Sequence, residues 1–156
     1  MKFSIRTLKK EEISAVASIY TEAFSQADID KSWTQKKAEE FINWWFEHQP
    51  DLFFVATHKE QLIGGIVAGV KPWWNHNNLT DGELFIDPNF QRQGVGKELI
   101  KTLLEKAIRK YEIVEFESLV DKGDEFPLSW YRKLGMTETT LVHIAGKPKV
   151  ILKKLN

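Results

Sequence analysis

Apolar and polar positions change period several times along the chain, and each change marks an element, because alternation at two residues suits a strand and recurrence at three or four suits a helix. Phe3 and Ile5 alternate with polar neighbours and predict an opening strand. Ile13, Val16, Ala17, Tyr20, Ala23 and Phe24 then recur at helical spacing. A second helix is expected from Ser32 or Thr34, where Ser32 and Gln35 have capping-box spacing and Ala38, Phe41, Ile42 and Trp45 form the apolar stripe. Leu52 to Thr57 and Gln61 to Val70 are β-rich runs around a polar turn at Lys59 and Glu60, which predicts an antiparallel hairpin. Lys71 to Thr80, containing Pro72, Trp73 and Trp74, holds no period and predicts a polar, aromatic loop. From Gly82 the pattern predicts a strand over Glu83 to Ile86, a turn over Asp87 to Phe90, a glycine-containing bend and a long helix. That helix carries Leu99, Ile100, Leu103, Leu104, Ala107 and Ile108 on one side. A strand from Ile113 to Val120 and a short helix from Pro127 to Leu134, stopped by Gly135, come next. Thr137 to Ile144 and Lys149 to Leu155 are expected as closing strands. This order predicts a single α/β domain over residues 1–156, with a mixed, largely antiparallel central sheet flanked by helices, and excludes a doubly wound Rossmann fold.

Composition narrows the function classes. Of 156 residues 42% are hydrophobic, enough for a core and too many for a disordered chain. There is no cysteine, so disulfides, thiolate zinc sites and a cysteine nucleophile are excluded, and the four histidines show no ligand spacing, so no metal is expected. Twenty-two Lys and Arg balance 22 Asp and Glu, which argues against a protein built to neutralise nucleic-acid phosphates. The longest apolar run, Leu62 to Val70, is far shorter than the roughly 20 residues that cross a bilayer. The amino terminus becomes charged before an apolar signal core develops, so no membrane partner and a cytoplasmic location are expected.

The chemistry concentrates in Gln91, Arg92, Gln93, Gly94, Val95, Gly96 and Lys97, between a strand and the first turn of an amphipathic helix. A helix start has unpaired N–H groups and partial positive charge, and glycines let its backbone approach a phosphate or pyrophosphate closely. The dinucleotide pattern GxGxxG is absent, which argues against NAD. The passage ELFIDPNFQRQGVGKELI, residues 83–100, together with WYRKLGM, residues 130–136, resembles the GNAT superfamily of acyl-CoA-dependent N-acyltransferases. In that family a Q/R-x-x-G-x-G/A loop holds the CoA pyrophosphate through backbone amides, and Gln91, Gly94 and Gly96 match its spacing. The resemblance implies acetyl-CoA as acyl donor. It also implies that the backbones of Leu84, Phe85 and Ile86 bind pantetheine and that Arg92, Gln93, Gly94, Val95, Gly96 and Lys97 surround the pyrophosphate. Pro88 suits a strand that stops pairing there.

Acyl transfer to an amine needs a base, a donor for oxyanion charge and a proton for the departing thiolate. By the resemblance Tyr131 is the general acid and the Ile86 N–H the oxyanion donor. Where the family has Asn seven residues before this Tyr, the chain has Asp124, which when ionised can accept but not donate a hydrogen bond to pantetheine. Glu83, directly or through a water, is the candidate base, with Asp81 as competitor; its other reading is an ordinary strand-end carboxylate. For the acceptor, Trp33, Trp73 and Trp74 offer stacking or cation–π contacts, and Asp28 and Asp30 attract a cation. These residues favour a small cationic amine, and the Pro72-to-Phe85 stretch resembles acetyltransferases of aminoglycosides or polyamine-like substrates. Acetylation of protein amines and a non-catalytic acyl-CoA-binding sensor or interaction module are the alternatives. The resemblance further implies a homodimer.

Overall fold

The computed structural model describes residues 1–25, 33–121, 123, 125–141 and 143–155, apart from the side chain of Asp81. The chain divides into two compact units, Met1–Leu119 and Val120–Asn156. In the first, β1 (Ser4–Thr7), α1 (Ile13–Ser25), α2 (Gln35–His48), β2 (Phe54–His58), β3 (Gln61–Pro72), β4 (Asn77–Ile86), α3 (Val95–Tyr111) and β5 (Ile113–Phe116) follow in order. Among the described residues the strands form one sheet in sequence order, antiparallel from β1 to β4 and parallel between β4 and β5.

Local chemistry explains the main boundaries. Thr34 caps α2, its hydroxyl accepting from Lys37 N–H at 3.3 Å; Ser32, the alternative start, lies outside the described residues. The β2–β3 turn has Lys59 and Glu60 both at positive φ, the backbone of a tight hairpin turn whose twist matches the strands. Val16, Ala17 and Tyr20 of α1 and Ala38, Ile42 and Trp45 of α2 bury their stripe against Val55, Val67 and Phe85 of the sheet. Strand residues next to these face the other way, and α3 packs on β2, β3 and β4 with Val95, Leu99, Leu103 and Ala107 buried.

Two features of β4 depart from the expected pattern. It begins at Asn77 rather than Glu83, so most of the expected loop is strand, and the β3–β4 turn shrinks to residues 73–76. Thr80 to Glu83 of β4 lie opposite only Gly69 to Val67 of β3, which inserts one extra residue, a β-bulge, at 81–82. β5 pairs with β4 only through Leu79, and Glu117 N–H closes the ladder on Leu79 C=O at 2.7 Å. Beyond that point β4 diverges from β5. A side chain at Gly82 would meet the Phe116 ring at 2.9 Å, so the glycine lets that ring sit over the bulge where the strands part.

The second unit holds α4 (Glu125–Lys133), helical in φ/ψ from Pro127 onward, and α5 (Pro148–Leu155). Gly135 at φ +91° ends α4 as expected. The two closing strands are not formed: no described residue of 137–144 is in a strand, and 148–155 is helical. Pro148 opens that helix in the first-turn position proline tolerates, and Lys153 and Lys154 occupy its last turn, where cations are favourable. The β-branched pair Val150 and Ile151 suggested a strand, yet Ile151, Leu152 and Leu155 recur at helical spacing.

Candidate active site

The diverging half of β4 presents main-chain groups in alternation. Asp87 N–H donates to Ile63 C=O at 3.0 Å and Ile86 is the partner of Gly64, so Ile86 and Leu84 are the non-hydrogen-bonded members of the β3–β4 ladder. Their N–H and C=O groups point away from β3, to the side that β5 has left. Phe85, by the same register, turns its amide and carbonyl toward Gly65. The three residues expected to bind pantetheine therefore divide: the Leu84 groups and the Ile86 N–H face the side that β5 has left, the Ile86 C=O accepts from the Gln91 side chain, and Phe85 is buried at 2% exposure in the α1–α2 core.

Buried Asp87 ends the strand. Its carboxylate accepts from Asn89 N–H at 2.9 Å and Asn89 Nδ2 at 3.0 Å, turning the chain through Pro88. Gln91 Nε2 donates to Ile86 C=O at 3.3 Å and Gln93 Nε2 to Asn89 C=O at 3.2 Å, so both glutamines fasten the bend to the strand end. Arg92 has φ +59° and Gly94 φ +85°, left-handed conformations that curl the backbone before α3. The first helical bond runs from Glu98 N–H to Gly94 C=O, leaving Val95, Gly96 and Lys97 N–H groups without an intrahelical acceptor. A side chain at Gly94 would meet nothing within 4 Å, so the bend opens onto free space. Lys97 and Arg92 are exposed there.

Glu83 follows the bulge on the face that carries Phe85, half-buried, and accepts a hydrogen bond from the Tyr20 hydroxyl at 3.1 Å. Burial, then the charge and hydrogen bond of Glu83, push the Tyr20 hydroxyl far up, so it keeps its proton. Around Tyr20 stand Phe24 (4.5 Å between ring centroids), Trp33 (5.1 Å), Phe85 (5.2 Å) and Phe41 (5.5 Å). Trp33 thus joins the rings around Tyr20. Trp73 and Trp74 do not: they pack on each other at 5.0 Å at the β3–β4 turn, Lys71 Nζ lies 4.9 Å from the Trp73 ring, and the start of β4 separates them from Glu83 by about 20 Å of strand. In the sequence Tyr20 reads only as a member of the apolar stripe of α1; the structure brings its hydroxyl to Glu83.

In the second unit Tyr131 lies on α4, buried at 8% exposure, with the Trp130 ring 5.3 Å away. Asp124, Asp28 and Asp30 lie outside the described residues. Among the described residues no cluster of His, Asp and Glu could hold a metal ion, and no helix is long and apolar enough to cross a membrane.

A strand leaving its parallel neighbour, followed by a glycine bend opening onto a long helix, is the arrangement expected from the resemblance, and comparison with known proteins agrees. A sequence model described as the acetyltransferase (GNAT) family matches residues 13–136. The chain is 26% identical over 148 residues to an uncharacterized N-acetyltransferase of Methanocaldococcus jannaschii, covering 90% of this chain and 63% of that protein. It is 33% identical over 98 residues to N-alpha-acetyltransferase 30 of Dictyostelium discoideum, covering 62% of this chain and 50% of that one. It thus spans about half to two thirds of the length of these two relatives. Its fold is similar to the crystal structure of an aminoglycoside acetyltransferase from an uncultured soil metagenomic sample, with a TM-score of 0.67 at 21% identity, over 93% of this chain and 95% of that one. With the family match covering most of its length and the diverging β4 edge at its centre, the chain belongs to the GNAT acetyltransferase family of acyl-CoA-dependent N-acyltransferases.

Proposed function

We propose that the protein transfers the acetyl group of acetyl-CoA to a primary amine of a small cationic molecule, aminoglycoside- or polyamine-like, by direct attack in a ternary complex. The observation that carries this reading is the open edge of β4, where outward main-chain groups of Leu84 and Ile86 share a strand with Glu83. The residues fit the donor. The amide-like pantetheine arm suits a strand edge whose Leu84 groups and Ile86 N–H point away from β3, and the pyrophosphate suits the N–H groups of Val95, Gly96 and Lys97, which have no intrahelical acceptor, beside the space before Gly94. Arg92 and Lys97 add positive charge there, and Gln91 and Gln93 hold the bend.

In the chemistry that follows, Glu83 takes a proton from the amine, directly or through a water. The amine nitrogen forms a bond to the thioester carbonyl carbon, and the Ile86 N–H stabilises the oxyanion. As the C–S bond breaks, Tyr131 gives its phenolic proton to the departing thiolate, an assignment resting on the WYRKLGM motif. The Glu83 carboxylate, held by the Tyr20 hydroxyl, suits a cationic amine. The soil metagenomic neighbour, titled an aminoglycoside acetyltransferase, supports a small acceptor; the Dictyostelium relative, named an N-alpha-acetyltransferase, makes peptide α-amines the second class to test. The family match crosses the division between the two units, which supports one functional domain. A cytoplasmic homodimer completes the reading.

Calorimetric titration with acetyl-CoA, with NADH and ATP as controls, is the first test. A Kd near 1 μM, about −8 kcal/mol, is expected for acetyl-CoA alone. Gly94→Glu places bulk and negative charge at the pyrophosphate and should abolish binding; unchanged affinity removes the bend from the site. A panel of an aminoglycoside, spermidine and a peptide with a free α-amine then assigns the acceptor class. Glu83→Gln should lower kcat on the responsive amine, and full turnover in that variant removes Glu83 as the base.

A further inference from the structure

Tyr20 makes a hydrogen bond that its place in an apolar helix stripe does not require. It is 3% exposed, packed among Phe24, Trp33, Phe41 and Phe85, and its hydroxyl crosses from α1 to β4 to reach Glu83 Oε2 at 3.1 Å. Phenylalanine would fill the same space without the polar atom. We propose that Tyr20 is a positioning residue for acyl transfer: its hydroxyl fixes one oxygen of the Glu83 carboxylate and holds that carboxylate ionised, while the surrounding rings lock the donor in place. The proposal rests on the reading of Glu83 as the base. A buried phenol packed against four aromatic rings is held more firmly than a half-buried carboxylate, so the carboxylate is oriented by the phenol. A hydrogen bond donated to the ionised form favours that form. Opposite Glu83 on β3 stands Val67, which carries no charge, and from α1 the Tyr20 hydroxyl donates to Glu83 Oε2.

Tyr20→Phe keeps the ring and removes the donor. The Glu83 carboxyl carbon is followed by NMR across pH in the protein without substrates, its signal assigned by its loss in Glu83→Gln. In Tyr20→Phe the Glu83 midpoint is expected to rise by about one pH unit, the tenfold change of a lost charge-assisted bond. Replacing Tyr20 with 3-fluorotyrosine, a stronger donor of nearly the same shape, should move the midpoint down. On the amine found by the screen, Tyr20→Phe should lower kcat several-fold with the KM for acetyl-CoA unchanged. A urea midpoint near that of the native protein shows that the fold is kept, and where Tyr20→Phe does not fold the fluorinated protein decides. An unmoved Glu83 midpoint in the folded variants overturns the proposal. If Glu83→Gln retains full turnover, the base reading fails instead, and the two failures are told apart because the midpoint needs no turnover.

Discussion

Gly94 and Tyr131 mark two ends of what single residues contribute here. Gly94 sits at φ +85° with open space beyond it, so alanine would clash with nothing and its cost would be conformational, about 1 kcal/mol. Gly94→Ala should therefore lower the urea-derived stability by about that amount. It should also weaken acetyl-CoA about tenfold, because the new methyl enters the space before the helix N–H groups; loss of stability without loss of affinity would separate the glycine from the ligand. Tyr131→Phe removes a proton donor and leaves a buried ring, so kcat should fall about 100-fold while the KM for acetyl-CoA holds, and an unchanged kcat excludes it as the acid. Both are legible in the sequence as candidates, because a glycine spacing and an aromatic-Tyr-basic run are local patterns. Tyr20 is not. The role proposed for it comes from meeting Glu83, 63 positions away, and nothing in an α1 stripe of apolar residues distinguishes a tyrosine that packs from one that also donates.

At the scale of elements, helices were easier to read than the strand that matters most. The stripes of α1, α2 and α3 follow one period from cap to cap. In β4 the period reverses: Thr80, partner of Gly69, and Glu83, partner of Val67, share a face although they are an odd number of residues apart, because the bulge lies between them. Asn77, Asn78, Asp81 and Gly82 are also poor strand formers, so alternation was visible only from Glu83 onward. The same limit in reverse explains the strand expected over Lys149 to Leu155, where β-branched residues outweighed the helical spacing of Ile151, Leu152 and Leu155. Capping is local enough to test directly. Thr34→Ala removes the acceptor for Lys37 N–H at the start of α2 and should cost about 1 kcal/mol, whereas Thr34→Ser should cost little; equal losses would assign the effect to packing.

For the molecule as a whole, pH should act on the first unit through two ion pairs that join separate segments. The Arg6 guanidinium donates to both oxygens of Glu12, at 2.6 and 2.8 Å, and this hydrogen bond holds the Glu12 carboxyl below its usual range although burial pushes it up. At Asp51 burial pushes the carboxyl up, but hydrogen bonds from Lys110, Gln49 and Tyr111 outweigh it and the net direction is down. These bonds tie the turn before β2 to the end of α3. A carboxyl whose folded pKa is depressed contributes fully above its unfolded value, near 4, and loses that contribution as pH falls through the folded value. The partners Arg6 and Lys110 are raised, so their share is present below about 10 and lost only in strong alkali. Between pH 5 and 9 the two pairs should therefore give no slope, and the urea midpoint should fall as the pH goes from about 4 toward 2. Glu12→Gln combined with Asp51→Asn should sit below the native protein at pH 7 by a modest margin, since Arg6 and Lys110 face solvent and salt screens them. The two curves should converge in acid once the pH lies below the folded values, where the native carboxyls are also neutral. A gap that stays constant from pH 7 to 2 would mean that the substitutions act through packing and that the acid limb arises elsewhere in the fold.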